Sequence, residues 1–472
     1  MNKNATLFRG IICLPLILCL LILVSSCKNR GSSGSRKLKD QTVVKDSVAI
    51  ANFSKLNYNI YIENSGSMDG YVEGVTEFEQ SVYSLISDLR ISNSVDSLNL
   101  NYINSQVIKW KPNAQNPEIA DFIEKLEPTT FRLRGGDRTH SDLQNVFKQV
   151  LNVTRPNDVS VIISDCIFSP GRNFDAENYL INQQIGFKTA FAQKLDSLSF
   201  STLIMQFTSK FTGLYYDKTD TPKKLNAQYR PFYITIIGAP ISIDQFLSLI
   251  KPERYKQKGL INSYLLSNPQ KASINAKIVR VNRIGDFKIA QPASSLTITN
   301  AKSEENIFQF SLAIDLSKFM IDEKYLSDIK NYKLPSNYQL VAVKANNDET
   351  DAAMKGFSHI FTISTHDLKQ KQEVKVELIN KIPDWVSASS SNDDSNILNT
   401  EELKKTFGLY FLINGISEAY DNKSGGKGQF EITINVNKNS SSSSAKGSSF
   451  PWWLFFLAAL LVGVIIFLKS KK

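Results

Sequence analysis

The sequence predicts an open α/β domain with a doubly wound, mostly parallel sheet, followed by an antiparallel β-sandwich-like domain and a C-terminal transmembrane helix. Strand-like and helix-like patterns alternate from about residue 56 to residue 250, as they do where helices cover both faces of a parallel sheet. Alternating strands with few helical signals follow at residues 272–436, which is typical of a sandwich. Residues 454–468 are uncharged and apolar, which favours a membrane span.

The first half begins with a strand whose apolar residues alternate along one side. The segment 159–163 is a continuous β-branched run, as expected for a strand buried on both faces. Further strands are predicted near 98–110, 202–207 and 232–237. Apolar residues at helical spacing predict the helices between them, at residues 75–89, 117–126, 141–153, 178–195 and 242–250.

The second half is predicted as short strands separated by polar loops. The strands fall at residues 274–281, 295–298, 308–314, 339–343, 361–363, 373–379, 409–412 and 430–436. A polar run at 387–395 is interpreted as a long loop within this half. We place the two domains at residues 55–255 and 270–437, with a Ser-rich linker at 438–449, the transmembrane helix at 450–468 and a basic tail at 469–472.

The N-terminal segment has the pattern of a bacterial signal peptide. Lys3 and Arg9 precede an apolar run at residues 11–24, and Leu23-Val24-Ser25-Ser26-Cys27 resembles a lipobox. The resemblance implies cleavage after residue 26, acylation of Cys27 and a flexible tether at residues 27–54. An uncleaved anchor with an incidental cysteine is the alternative. The tether lacks the acidic run that marks surface export in the Bacteroides-type lipoproteins that this segment resembles.

The C-terminal run is bounded by aromatic residues on one side and lysines on the other. Trp452 and Trp453 precede it, and Lys469, Lys471 and Lys472 follow it. Lysines of this kind stay in the cytoplasm by the positive-inside rule. We therefore expect an inner-membrane protein that faces the periplasm, held by an N-terminal lipid and a C-terminal helix, with surface display less expected.

Charge and cysteine content limit the other classes of function. The formal net charge is +10, but the lysines and arginines are scattered and form no dense block interleaved with aromatic residues. Nucleic-acid binding is therefore not expected. Only Cys166 falls in the folded part, which leaves it no intramolecular disulfide partner. It is interpreted as a small buried apolar residue.

Oxygen-bearing side chains follow the first strand at alternate positions. The segment Glu63-Asn64-Ser65-Gly66-Ser67 leaves the strand at the carboxyl edge of the predicted sheet, which is the usual ligand site of open α/β sheets. We expect Gly66 to allow a tight turn. The hydroxyls of Ser65 and Ser67 are ligands that a hard cation accepts. The sequence therefore predicts a cation site at this edge.

This segment resembles the Asp-x-Ser-x-Ser motif of von Willebrand factor A domains. Two further pieces match that family in order: Thr139, in a Gly-Gly-Asp-Arg-Thr-His loop before a helix, and Asp165, at the end of the 159–163 strand. The resemblance covers roughly residues 56–250. It implies a metal-ion-dependent adhesion site formed by Glu63, Ser65, Ser67, Thr139 and Asp165, with Mg²⁺ as the expected occupant. Glu63 departs from the family, which has aspartate there.

The resemblance implies a binding protein and no enzyme. In the family an acidic side chain of a partner completes the metal's coordination. Because this chain is expected in the envelope, the partner here would be another envelope protein that offers such a side chain. One alternative is a structural or assembly protein whose A-like domain has lost its metal through Glu63. A metal-dependent hydrolase is the third possibility, disfavoured because Mg²⁺ activates water weakly and no general base is evident.

Overall fold

A computed structural model describes residues 55–438, apart from short gaps at 140–141, 173, 268–273, 318–322, 348–353 and 426–427. The predicted signal peptide, the lipidation site Cys27, the tether, the Ser-rich linker, the transmembrane helix and the basic tail all lie outside these residues. They therefore stay predictions from the sequence.

A seven-stranded sheet forms the centre of the first half. Its strands are β1 (Leu56–Glu63), β2 (Val95–Ile103), β3 (Val107–Lys111), β4 (Asp158–Ser164), β5 (Ser201–Tyr216), β6 (Pro222–Gly238) and β7 (Leu260–Leu266). The order across the sheet is β3-β2-β1-β4-β6-β5-β7. Within this sheet β1 pairs in parallel with β2 and with β4, and every other pairing is antiparallel.

The sheet is therefore mixed, and the prediction of a mostly parallel sheet is wrong. The prediction failed because β5 and β6 form a long hairpin. From the sequence, only the short strands 202–207 and 232–237 were predicted in this region. In the structure the two strands pair from Ser201 opposite Gly238 out to Tyr216 opposite Pro222. Two strands joined by a tight turn can only be antiparallel, so the hairpin sets the direction of this side of the sheet.

Helices cover both faces of the sheet. They are α1 (Glu77–Ile91), α2 (Asn116–Glu124), α3 (Pro128–Arg132), α4 (Leu143–Val153), α5 (Ala176–Ser197), α6 (Pro240–Ile250) and α7 (Glu253–Lys256). Strand β1 contributes to both cores, because Tyr58, Ile60 and Ile62 pack with α1, whereas Tyr61 packs with α4 and α5. Strand β4 is buried at every position, as its β-branched run predicts.

The second half contains two sheets that share a core. The remaining strands are β8 (Ala276–Ile284), β9 (Asp286–Ile289), β10 (Thr297–Lys302), β11 (Phe308–Ile314), β12 (Tyr332–Lys333), β13 (Gln339–Ala345), β14 (His359–Thr365), β15 (Lys371–Leu378), β16 (Ser390–Ser391), β17 (Thr406–Phe407) and β18 (Phe430–Lys438). One sheet has the order β13-β14-β11-β8, and the other β12-β15-β18-β10-β9. All pairings within these two sheets are antiparallel except that of β10 with β18.

Between β15 and β18 the chain leaves these sheets and packs against the first half. This segment contains α9 (Asp384–Ala388), α10 (Thr400–Leu403) and α11 (Leu409–Ser424), whereas the short α8 (Glu323–Ser327) belongs to the earlier part of the second half. The core that contains α4 and α5 also includes apolar side chains of α11: Leu409, Leu412, Ile413, Ile416 and Tyr420.

The predicted strand at 409–412 is therefore wrong, since these residues begin α11. Short apolar runs do not distinguish a buried strand from a buried helix. Continued past the run, the buried residues Leu409, Leu412, Ile413, Ile416 and Tyr420 recur at helical spacing. Gly415 within this pattern lowers helix propensity and obscures the period.

None of the helices in the described range is long and apolar enough to cross a membrane. The fold class is thus corrected to α/β, with a mixed seven-stranded sheet, further largely antiparallel sheets, and no membrane-spanning helix among residues 55–438.

Candidate functional site

The first motif lies where β1 ends. Glu63 is its last residue and is fully buried. The chain then leaves the sheet into a 3-10 turn at Gly66–Tyr71, with Ser65 in extended conformation just before it. A Cβ at Gly66 would meet other atoms only at ordinary contact distance, 3.5 Å from the Arg138 carbonyl oxygen, so the turn does not require glycine there. The expectation that Gly66 is what allows a tight turn is therefore not supported by this geometry.

Ser65, Ser67 and Asp165 come together at this edge. The Oγ atoms of the two serines lie 3.0 Å apart. The Ser67 side chain also hydrogen-bonds Asp165, which directly follows β4 and is 1% exposed. Asp165 Oδ1 accepts the backbone N–H of Ile167 at 3.2 Å. Its Oδ2 is buried without a hydrogen-bond partner among the described residues. The parallel pairing of β1 with β4 brings these segments together, because both strands end at the same edge.

The charge of Asp165 is disfavoured where it lies. Burial is the larger cause and the nearby carboxylate of Glu63 the next, and together they raise the pKa of Asp165 to about 7. The hydrogen bond from Ser67, the amide of Ile167 and the positive charge of Arg230 act in the opposite direction. A divalent cation would relieve both the desolvation and the repulsion between the two carboxylates.

The Thr139 loop lies beside the first motif, but Thr139 itself turns to its own loop. The N–H of Gly66 donates to the carbonyl oxygen of Arg138 at 3.0 Å, which joins the two segments. Thr139 is exposed, and its hydroxyl donates to Asp137 Oδ1 at 2.6 Å. The structure therefore gathers Glu63, Ser65, Ser67 and Asp165, and it leaves the hydroxyl of Thr139 engaged in a local turn with Asp137.

Two arginines hold the loops around the motif, and neither role was predicted from the sequence. Arg138 donates to the carbonyl oxygens of Asn64 and Ser65 and forms an ion pair with Asp69. Arg132 Nε lies 2.8 Å from the other oxygen of Asp69. Asp69 is thus paired with two arginine side chains. Arg138 adjoins Thr139 in the sequence, which is the one signal that pointed to this position.

A third arginine lies in the interior of the first half. Arg230 on β6 is fully buried, and its Nη1 donates to the carbonyl oxygens of Leu403 at 2.7 Å, Lys405 at 2.8 Å and Glu402 at 3.3 Å. Its Nε and Nη2 have no hydrogen-bond partner among the described residues. Its sequence neighbours gave no sign of this role, because residue 230 falls between two segments predicted as separate strands.

Cys166 and His359 are buried in the protein core, which fits a structural role for both. Cys166 is buried in the core beside α5 and has a positive φ of 55°, a strained conformation for a residue other than glycine. His359 is also buried, and its Nε2 lies 3.1 Å from Glu323 and its Nδ1 2.8 Å from Ser358 Oγ. Ser358 Oγ also accepts the N–H of Leu316 at 2.7 Å, which fits a structural role for this group.

The residues at the β1 and β4 edge fit a hard cation, chiefly through serine hydroxyls. Within the described ranges no group of three or more His, Cys, Asp or Glu side chains is placed to hold a metal. The buried, unpartnered Oδ2 of Asp165 and an all-oxygen set of neighbours are nevertheless what Mg²⁺ takes. Comparison with protein-family models, curated proteins and solved structures finds no match to this chain.

The pKa of Asp165 predicts a pH-dependent stability. Because this pKa is about 7 in the folded protein against an ordinary 3.8, the folded state keeps the proton to higher pH than the unfolded state. In the presence of chelator, the free energy of unfolding should therefore fall as pH rises between these two values. Saturating Mg²⁺ should reduce the fall, and urea unfolding across this range measures both.

Glu79 supplies a control for this measurement. Burial raises the pKa of Glu79 to about 7 as well, so it adds a fall of the same sign. In a Glu79→Gln variant the part of the fall that responds to Mg²⁺ should remain. A stability that rises with pH in this variant contradicts the assignment to Asp165.

Proposed function

We propose that this chain is a protein-binding protein whose α/β part binds its partner through a divalent cation, with Mg²⁺ as the expected ion. Ser65, Ser67 and Asp165 would hold the cation, with Glu63 as the second acid. One observation carries the proposal: the buried Oδ2 of Asp165 has no hydrogen-bond partner among the described residues, although the Ser67 hydroxyl lies beside that carboxylate and 3.0 Å from the Ser65 hydroxyl. A bound Mg²⁺ would supply a positive centre that an acidic side chain of the partner can complete.

Access to the site supports binding of a large partner. Gly66 and Ser67 are partly exposed, whereas Glu63 and Asp165 are buried beneath them. Tyr216, at the end of β5, has a ring atom 4.0 Å from where a Gly66 Cβ would lie. The residues that cover the two acids are thus partly exposed to solvent. A cation there can be reached from solvent by a projecting carboxylate.

The partner is proposed to be another protein of the bacterial envelope. The lipobox-like segment ending at Cys27, which lies outside the described residues, supports this location. The two acids of the cluster, Glu63 and Asp165, are buried and are the proposed ligands of the cation, so neither would be available to take a proton from water while the cation is bound. Binding is therefore favoured over hydrolysis.

Calorimetric titration of the full chain with Mg²⁺ tests the proposal. The wild-type protein should bind one Mg²⁺, and the Ser65→Ala, Ser67→Ala double variant should bind at least about 100-fold more weakly, because two ligands are lost. Thr139→Ala is the matched control, since the Thr139 hydroxyl donates to Asp137. It should stay within about threefold of wild type. Equal Mg²⁺ binding by the double variant and the wild type contradicts the proposed ligands.

The second candidate is a structural or assembly protein whose A-like site no longer takes a cation. The position of Thr139 favours it, because its exposed hydroxyl is committed to Asp137. The same titration separates the two candidates. Absence of heat with both Mg²⁺ and Mn²⁺ selects the second, whereas saturable binding selects the first.

A further inference from the structure

Arg138 contacts the backbone of the first motif at three consecutive residues. Its guanidinium donates to the carbonyl oxygen of Asn64 through Nε and to that of Ser65 through Nη2, the second bond at 3.1 Å. Its own carbonyl oxygen accepts the N–H of Gly66 at 3.0 Å. Because a guanidinium is planar and its donors point in fixed directions, these bonds fix the orientation of the peptide groups around Ser65.

Arg138 and its loop are themselves held in place. Asp69 forms an ion pair with Nη2 of Arg138, and the side chains of both residues are only 16% exposed. The buried side chain of Asn104 also joins the two segments, because its Nδ2 donates to Asn64 Oδ1 at 3.0 Å and to the carbonyl oxygen of Gly135 at 2.8 Å. Asp69 neutralises the guanidinium, so Arg138 acts on the turn chiefly through its hydrogen bonds.

The turn that Arg138 fixes holds two serine hydroxyls at a spacing that suits a small cation. Ser65 Oγ and Ser67 Oγ lie 3.0 Å apart. Mg²⁺ requires an octahedron of oxygens at about 2.1 Å, in which neighbouring oxygens are about 3.0 Å apart. Ca²⁺ holds its oxygens at about 2.4 Å, which separates neighbouring ligands by about 3.4 Å, and it accepts irregular arrangements. A turn fixed at the observed spacing therefore fits Mg²⁺ as it stands and would have to open for Ca²⁺.

We propose that Arg138 is a positioning residue that makes the candidate site select Mg²⁺ over Ca²⁺. The inference rests on the proposed function, since it concerns which cation the same site prefers. Without the guanidinium, the carbonyl groups of Asn64 and Ser65 lose a donor that holds them, and the turn is free to widen. Mg²⁺ then loses its pre-formed pair of ligands, whereas Ca²⁺, which tolerates flexible geometry, loses little.

Calorimetric titration of full-length variants with Mg²⁺ and with Ca²⁺ tests the proposal through the ratio of the two affinities. Loss of a positive charge or of overall stability affects both ions alike, so the ratio reports the spacing of the ligands. In Arg138→Gln the preference for Mg²⁺ should fall at least about 10-fold relative to wild type. Arg132→Gln, the matched control, removes the other partner of Asp69 and leaves the carbonyl bonds of Arg138 in place, so its ratio should stay within about threefold. A wild-type ratio in Arg138→Gln overturns the proposal.

Hydrogen exchange on the wild-type protein provides a second test that does not depend on the folding of a variant. If Arg138 fixes the turn before the cation binds, the amides of Gly66 and Met68, which donate to Arg138 and Ser65, should be protected in chelator at least about 100-fold relative to the unfolded chain. Protection that arises only with Mg²⁺ overturns the proposal, because the cation then orders the turn. Wild-type protein that binds neither Mg²⁺ nor Ca²⁺ refutes the proposed function itself, so the two failures are distinguishable.

Discussion

Replacing Asp165 by asparagine is expected to stabilise the cation-free protein and, in the same variant, to abolish its response to Mg²⁺. The carboxylate is buried, lies near Glu63 and has a pKa raised to about 7, so its ionised form is costly at neutral pH. Asparagine removes that charge and keeps the shape. In chelator the free energy of unfolding should rise by about 2 kcal/mol, part of the gain being lost to an imperfectly bonded amide.

The loss of Mg²⁺ binding should accompany this gain. Wild-type protein should be stabilised by Mg²⁺ in urea unfolding, because a ligand that binds only the folded state shifts the equilibrium towards it. The Asp165→Asn variant should show no such shift. A gain in stability together with a loss of Mg²⁺ binding identifies a functional carboxylate, because replacing a purely structural carboxylate would lower the stability of the protein.

Asp158 supplies the matched control, since it lies at the opposite end of β4. It is also buried, but its carboxylate accepts hydrogen bonds from Asn57 Nδ2 at 3.2 Å and from the amide of Arg155 at 3.1 Å. Asp158→Asn should therefore lower stability and leave the Mg²⁺ response intact. The account is contradicted if Asp165→Asn is less stable than wild type in chelator, or if Mg²⁺ still stabilises it.

Gly415→Val is expected to destabilise the protein by about 3 kcal/mol, because α11 packs directly on α5 at this glycine. A Cβ there would lie 2.4 Å from the carbonyl oxygen of Gln184 and 3.0 Å from the Phe187 Cβ. The first of these is a backbone atom of α5 and cannot rotate away. The two helices would have to separate, which would open the core formed by Phe187, Leu412 and Ile416.

Asn422→Val makes the same type of change on the exposed side of α11. Asn422 is exposed near the end of the helix, so its replacement should change stability by less than about 0.5 kcal/mol. Urea unfolding of the two variants tests whether residues 409–424 belong to the core of the first half. Equal stability of the two variants would contradict the packing of α11 on α5.

The strands of the first half were predictable where burial leaves a pattern in residues that are close together in the sequence. The alternation of Tyr58, Ile60 and Ile62 and the β-branched run of β4 each follow from residues that are neighbours in the chain. The direction of β5 and β6 was not predictable in this way, because pairing in a sheet depends on partners distant in sequence. The position of α11 was missed for a related reason, since its partner α5 lies more than 200 residues earlier.

The candidate site shows the same limit. The resemblance of Ser65, Ser67 and Asp165 to a known motif was sufficient to point to residues that the structure brings together. Arg230 could not be found from the sequence, because its importance comes from burial and from carbonyl groups more than 170 residues away. The turn of Thr139 towards Asp137 depends on loop geometry that a motif does not encode.

Crystals of the protein grown or soaked with Mn²⁺ provide the most direct test of the cation site. Mn²⁺ takes the same oxygen ligands as Mg²⁺ and is visible through its anomalous scattering. The account predicts one anomalous peak within coordination distance of Ser65 Oγ, Ser67 Oγ and Asp165, and no such peak in crystals of the Ser65→Ala, Ser67→Ala variant. An unoccupied edge in Mn²⁺-saturated wild-type crystals, or a peak bound elsewhere alone, would contradict it.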